Sequence, residues 1–216
     1  MKKLRYFGVF LLLSLVSLFA QTNRYELKSG MVEYEIIGSG ELSGSAVTIS
    51  GTSKLYFKDF GNIELTDEKI EQTISGDKEE ERVISKVVDN KFYTVDFIDE
   101  VIYTQNMLSD EEEPNLNIRN AEAFISMGAK KLGVEEILTY KCDVWQLGED
   151  KIWVYNSVPL KTISKSLGVV QIHEAKLAIF DIKIKEDKFK LPSFPIRAMD
   201  EIIGEASSDE MPIPSE

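Results

Sequence analysis

Residues 138–161 read LTYKCDVWQLGEDKIWVYNSVPLK and hold both tryptophans and the only cysteine of the 216-residue chain. Two runs rich in β-branched and aromatic residues, Tyr140–Leu147 and Ile152–Val158, flank a Gly148-Glu149-Asp150-Lys151 breaker. Alternating side chains on both sides of such a break predict an antiparallel hairpin. Nothing in the stretch is a reaction centre. It points to sheet architecture, and the flanking sequence agrees.

On the N-terminal side, Met31–Ile37 alternates cleanly, with Val32, Tyr34 and Ile36 on one side and Glu33 and Glu35 on the other, the period of a half-buried strand. Further strand signals recur at Ala46–Ser50, Lys54–Asp59, Asn62–Leu65, Ile70–Ile74, Arg82–Val88, Lys91–Ile98 and Val101–Gln105. Asp89-Asn90 suits a two-residue hairpin turn, because both residues tolerate positive φ. No crossover helix fits between Met31 and Gln105, which excludes parallel βαβ units there. Gly38, Gly40 and Gly44 are spaced G-x-G-x-x-x-G and run into another strand, so the pattern is not a dinucleotide fingerprint, and Gly-rich hairpins are the better account.

Arg119–Leu132 carries the one good helical stripe, Ala121, Phe124, Ile125, Gly128 and Leu132, with Asn117 or Asn120 to cap it and Gly133 to end it. A single apolar stripe predicts a helix lying on the sheet. After the organising hairpin come Leu160–Ser166 and the long run Val169–Ile184, apolar on both phases, which implies either two strands or one strand bent by a bulge. Pro192 and Pro195 end regular structure, a short helix fits Ile196–Ile203, and Gly204–Glu216 reads as disordered. The expected architecture is mainly β with one or two helices: a strongly curved antiparallel sheet, an incomplete barrel, with a helix on its inner face. Residues 25–192 would form this single domain and residues 193–216 a tail.

The chain opens with Lys2, Lys3 and Arg5, then an apolar run from Phe7 to Phe19 and a small residue, Ala20, the plan of a cleaved secretory signal over residues 1–20. An uncleaved anchor is the alternative, although the run is short for a span of roughly 20 residues. A periplasmic protein without a membrane span after cleavage is the expectation. The net charge of −12 argues against nucleic acid, whose phosphates require Lys and Arg, and against anionic lipid surfaces. One cysteine in an exported chain makes no internal disulfide; Cys142, in phase with Tyr140 and Val144, reads as a core residue, with a reactive thiol as the alternative.

Chemistry is sparse. His173 is the only histidine, which removes His-rich zinc sites and rests any catalytic triad on one residue; a sheet histidine with a local hydrogen bond is the plainer reading. G-x-S-x-G, H-E-x-x-H and P-loop motifs are all missing from the sequence. The acidic run at 109–113 lacks alternating calcium-ligand spacing and reads as a solvated loop. No catalytic residue, metal site or cofactor is assigned, and an enzyme is disfavoured. What remains is shape. If Phe57, Phe60, Tyr93, Phe97, Trp145, Trp153 and Tyr155 belong to one curved sheet with Phe124 of the helix laid against it, the gap can be an apolar ligand cavity. Alternatively, the same aromatics fill the core.

The order of signal, meander, helix, then Glu135-x-Ile137-Leu138-Thr139-Tyr140-Lys141-Cys142-Asp143-Val144-Trp145 and a strand ending in Pro159-Leu160-Lys161, resembles the periplasmic half-barrels of the outer-membrane lipoprotein-carrier class. It is most similar to an exported domain family with a Tyr-Lys-Cys strand followed by a Pro-Leu-Lys strand; position 139 is Thr where that pattern has Gly. The resemblance implies an incomplete barrel closed by helices and a lipid-like or other apolar ligand, with no cavity arginine or lysine assignable. Two readings of function follow: a periplasmic carrier-like binding module, or a solid-cored envelope protein that docks a protein partner through its acidic surface or a sheet edge.

Overall fold

The structure is a computed structural model and describes residues 23–106 and 120–199. The signal segment, the acidic run at 109–113 and the tail at 204–216 lie outside the described residues.

Six strands follow one another as a meander: β1 (Gly30–Leu42), β2 (Ser45–Lys58), β3 (Ile63–Ile74), β4 (Asp77–Val88), β5 (Lys91–Asp96) and β6 (Val101–Asn106). A short helix, α1 (Ala121–Ser126), precedes a second meander of β7 (Lys130–Ile137), β8 (Tyr140–Leu147), β9 (Asp150–Tyr155), β10 (Val158–Ser166) and β11 (Val169–Phe180). The two join where β11 pairs antiparallel with β1. A last strand, β12 (Ile196–Ala198), adds to β6 in parallel, giving one twelve-stranded sheet ordered β12-β6-β5-β4-β3-β2-β1-β11-β10-β9-β8-β7. The sheet curves strongly and does not close into a barrel, because β12 and β7 are both edges.

The organising hairpin is β8–β9, and its β8 boundaries match the sequence reading. Elsewhere the observed strands are longer than expected. Ala46–Ser50 and Lys54–Asp59 fuse into β2, and Asn62–Leu65 and Ile70–Ile74 into β3. The missed links, Thr52-Ser53 and Thr66–Lys69, are polar, and cross-strand partners rather than apolar alternation hold them: Arg82 of β4 donates two hydrogen bonds to Asp67, at 2.9 and 2.8 Å. Asp89 and Asn90 do form the β4–β5 turn, with φ of 52° and 57°. Of the Val169–Ile184 run, Val169–Phe180 forms one strand with a bulge, where the β1–β11 register shifts between Glu33 and Tyr34, and Asp181–Ile184 lie beyond its end.

Two corrections concern helices. α1 covers six residues, not the span Arg119–Leu132. Asn120 caps it as expected, accepting from the Ala123 amide, but Gly128 at φ 81° ends it, and Lys130–Ile137 leaves the helical stripe to pair with β8. Ladder pairing outweighs local periodicity there. At the C-terminus, Ile196–Ala198 is a strand where a helix was expected.

Strand alternation splits the core. On one face, Val32, Leu55, Phe57, Cys142, Val144, Trp153, Val158, Leu160, Ala175 and Ala178 pack with Tyr25. On the other face of β2–β6, Tyr56, Leu65, Ile84, Val95 and Ile102 are covered by the C-terminal segment through Ile184, Phe189, Leu191 and Phe194. α1 packs on the sheet through Phe124, stacked on Trp145 at 5.3 Å and 15°, beside Val154. Trp145 and Val154 alternate with Val144 and Trp153, so α1 sits on the side away from the Cys142 cluster.

Candidate functional site

The inside of the curve is identified by contacts that skip strands. Tyr34 of β1 donates from Oη to the Pro159 carbonyl of β10 at 2.7 Å, past β11. Tyr140 of β8 donates to the Ala178 carbonyl of β11 at 3.1 Å, past β9 and β10. His173 Nδ1 of β11 stands 3.9 Å from Glu68 Oε2 of β3, past β1 and β2. In a flat sheet strands three apart are separated by about 14 Å. The face bearing Tyr34, His173 and Glu68 is therefore concave.

Small residues permit that curvature. Gly51 lies on the concave side of β2, paired with Ile36 and Ile70, and a Cβ there would stand 2.3 Å from the Lys69 carbonyl oxygen. Ser53, two residues on, is 3% exposed and paired with Tyr34 and Glu68. Side chains of any size at these two positions would hold the strands apart.

One end of the concavity is closed by the segment entering β1. The Tyr25 amide donates to the Phe60 carbonyl at 3.0 Å and the Glu26 amide to the Asn156 carbonyl at 3.1 Å, so this segment bridges the β2–β3 and β9–β10 connections. Tyr25 packs on Phe57 with ring centroids 4.5 Å apart, and its Oη donates to Glu64, which also lies 3.5 Å from the Arg24 guanidinium. Beyond this plug lies a cavity of about 300 Å³ whose lining includes Tyr34, Ser53, Glu68, Thr162, Ser164 and His173. Two residues further along β2 and β3 lies a recess of about 910 Å³, lined on the concave phase by Gly51, Ile70, Glu81, Val83, Thr94 and Tyr103 and at its rim by Arg82, Val95 and Phe97 of the other phase. Both spaces mix apolar and polar walls: Tyr25, Leu55 and Pro159 line the inner one beside its hydroxyls and carboxylates.

The electrostatics follow from burial. Desolvation holds the His173 pKa below the usual imidazole range, with Glu68 partly offsetting it, and Gln171 Nε2 lies 2.8 Å from His173 Nε2. Burial pushes the Cys142 thiol up to about 11. Cys142 is thus the core residue of the first reading and not a poised nucleophile. The His173 ring nitrogens lie 2.8 Å from Gln171 Nε2 and 3.9 Å from Glu68 Oε2.

Of the eight aromatics named from the sequence, Phe60 lies in the β2–β3 connection and the other seven fall into three places. Phe57, Trp153 and Tyr155 belong to or pack against the concave-face cluster, Trp153 donating from Nε1 to Glu135 at 2.7 Å and lying 5.4 Å beneath the Lys161 ammonium. Tyr93 and Phe97 pack with the cluster on the other face, Phe97 edge-on to Phe194 at 6.0 Å, although Phe97 also lines the rim of the recess. Phe124 and Trp145 stack on each other beneath α1. They are not brought together around one cavity, and the recess does not lie between α1 and the sheet. The residues that do line the concavity include Ser53, Glu68, Ile70 and Val83 and two aromatics the sequence reading did not name as candidates, Tyr34 and Tyr103. Phase along a strand was the only signal that could have found them, and it needs the register to be known.

No protein-family model matches the sequence, and no curated protein does. Among solved structures, the chain is similar to an uncharacterized conserved protein from Thermus thermophilus, at 5% identity and a TM-score of 0.42, over 77% of this chain and 90% of that one. MucB gives 12% identity and a TM-score of 0.42 over 80% of this chain, which spans 60% of that protein. A putative outer membrane lipoprotein-sorting protein domain from Vibrio parahaemolyticus gives 10% identity and a TM-score of 0.31, over 76% of this chain and 89% of that domain. Structures similar to this chain at low identity thus include a lipoprotein-sorting domain, while the Tyr-Lys-Cys and Pro-Leu-Lys motif family finds no matching model. Likenesses this loose carry no function across.

Proposed function

We propose that this chain is an exported, periplasmic binding module, not an enzyme, that holds a lipid-like amphiphile on the concave face of its sheet. The observation that carries the reading is the adjacency of two spaces along β2 and β3: a plugged cavity at Ser53, Glu68 and His173 and, two residues further on, the recess over Ile70, Val83 and Tyr103. Ligand sites are typically concave and about 300–1,000 Å³. An apolar chain would lie over the aliphatic walls of the recess, and a polar end would reach hydroxyls and carboxylate inward. The N-terminal signal pattern supports the location.

Native mass spectrometry of protein purified gently from the periplasm, beside a solvent extract of the same sample, tests the reading. The expected result is a bound small molecule that leaves on extraction and whose rebinding is abolished by Ile70→Glu. Bare polypeptide in repeated preparations, together with no saturable uptake of a fluorescent fatty acid, would overturn it.

A further inference from the structure

The twelve-stranded sheet has two edges of different character. β12 is three residues long, too short to template another strand. β7 is eight residues long, pairs only with β8 and carries no covering element among the described residues. Its Leu132 and Val134 are 49% and 58% exposed, and Leu138, which follows it, is exposed as well. Edge strands are usually blunted by charge, which here is arranged in a specific order.

β7 reads Lys130-Lys131-Leu132-Gly133-Val134-Glu135-Glu136-Ile137. The β7–β8 register skips Leu132, a bulge, so Lys131, Val134 and Glu136 stand opposite Trp145, Asp143 and Lys141 and share one face. A second β7 approaching antiparallel about a two-fold axis at Val134 would then place each Lys131 opposite the other copy's Glu136, with the two Val134 side chains facing at the axis. On the opposite face Lys130 would lie diagonal to the other copy's Glu135. The row is its own complement. Within its own chain Lys131 already lies 2.7 Å from Asp143, and the pairing about Val134 adds Glu136 of the second copy to that lysine; a slipped register of the same two strands loses this match.

We infer that β7 is an isologous interface: two copies of this chain pair β7 to β7, antiparallel about Val134, extending the sheet across the dimer. The local charge favours this place over others. The chain as a whole carries −12, which drives copies apart, whereas β7 has two lysines and two glutamates and is neutral. The pairing satisfies the outward amides and carbonyls of the edge and covers exposed apolar side chains, as expected of a self-complementary two-fold contact. It is independent of what the concave face binds.

The test uses sedimentation velocity on the purified protein over a concentration series, with Lys131→Glu and Glu136→Lys. The wild type should show a monomer–dimer equilibrium. Each variant replaces two opposite-charge pairs across the interface by two like-charge pairs and should weaken dimerisation by about ten- to thirtyfold; Lys131→Glu also loses its own Asp143 ion pair, which Glu136→Lys leaves intact. An equimolar mixture of the two variants restores every pair and should recover the dimer, which also shows that both are folded. A wild type monomeric throughout, a dimer unchanged in either variant, or variants that stay monomeric when mixed would each overturn the inference.

Discussion

His173 and Glu68 bring Nδ1 and Oε2 to 3.9 Å across the concave face, although β11 and β3 are separated in the sheet by β1 and β2. This pair reports how strongly the open sheet curves, and it sets a pH dependence. Burial lowers the His173 pKa from its ordinary 6.5, so below about that value the unfolded chain binds a proton that the folded one resists. Stability conferred by neutral His173 is present above pH ~6.5 and is lost as pH falls from there toward the folded pKa. Urea unfolding followed between neutral and mildly acidic pH should show falling stability in the wild type and a flatter profile in His173→Gln. An unchanged profile in the variant would show that the histidine does not titrate with folding.

Cys142 is fully buried and its thiol is raised to about 11. A maleimide at neutral pH should therefore label the native protein far more slowly than the urea-unfolded chain, because both exposure and thiolate are lacking. Rapid native labelling, followed by intact mass, would restore the reactive-thiol reading.

Gly51 should not accept a side chain. Because its Cβ would fall 2.3 Å from the Lys69 carbonyl, Gly51→Val must spread β2 from β3. A loss of about 2–3 kcal/mol is expected, in the range of overpacked cores. Gly44→Ala, at a turn with open space around it, should cost about 1 kcal/mol, from its φ of 84° alone. Thermal unfolding of the two variants side by side distinguishes clash from backbone strain.

α1 is short and depends on one anchor. Phe124→Ala removes a buried ring stacked on Trp145 and should cost about 3 kcal/mol. Asn120→Ala removes the cap to the Ala123 amide and should cost about 1 kcal/mol. The Phe124 variant should shift tryptophan emission to the red as Trp145 meets water, while the cap variant should leave the folded-state spectrum unchanged.

How much was legible in the chain varied with the kind of interaction involved. The hairpin at Tyr140–Leu147, the Asp89-Asn90 turn, the antiparallel class and the core place of Cys142 all rest on alternation or on turn chemistry, which are local. The polar links in β2 and β3 were missed because ladder hydrogen bonds and the Arg82–Asp67 pair hold them, and neither leaves an apolar signature. The helix was drawn too long for the mirror-image reason: Leu132 continued a helical stripe, yet Gly128 and pairing with β8 decided against it.

The sequence by itself determined the signal-like N-terminus, the acidic balance, the scarcity of catalytic groups and a curved antiparallel sheet, because composition and period-two patterning act within a few residues. Only the tertiary structure decided which faces meet. Phe57, Tyr93 and Trp145 look alike in sequence but belong to three separate clusters, since alternation gives each side chain a phase and only register and curvature assign that phase to the inside or the outside. The same holds for Glu68 and His173, 105 positions apart in the chain, which meet because small residues at Gly51 and Ser53 let four strands bend around one cavity.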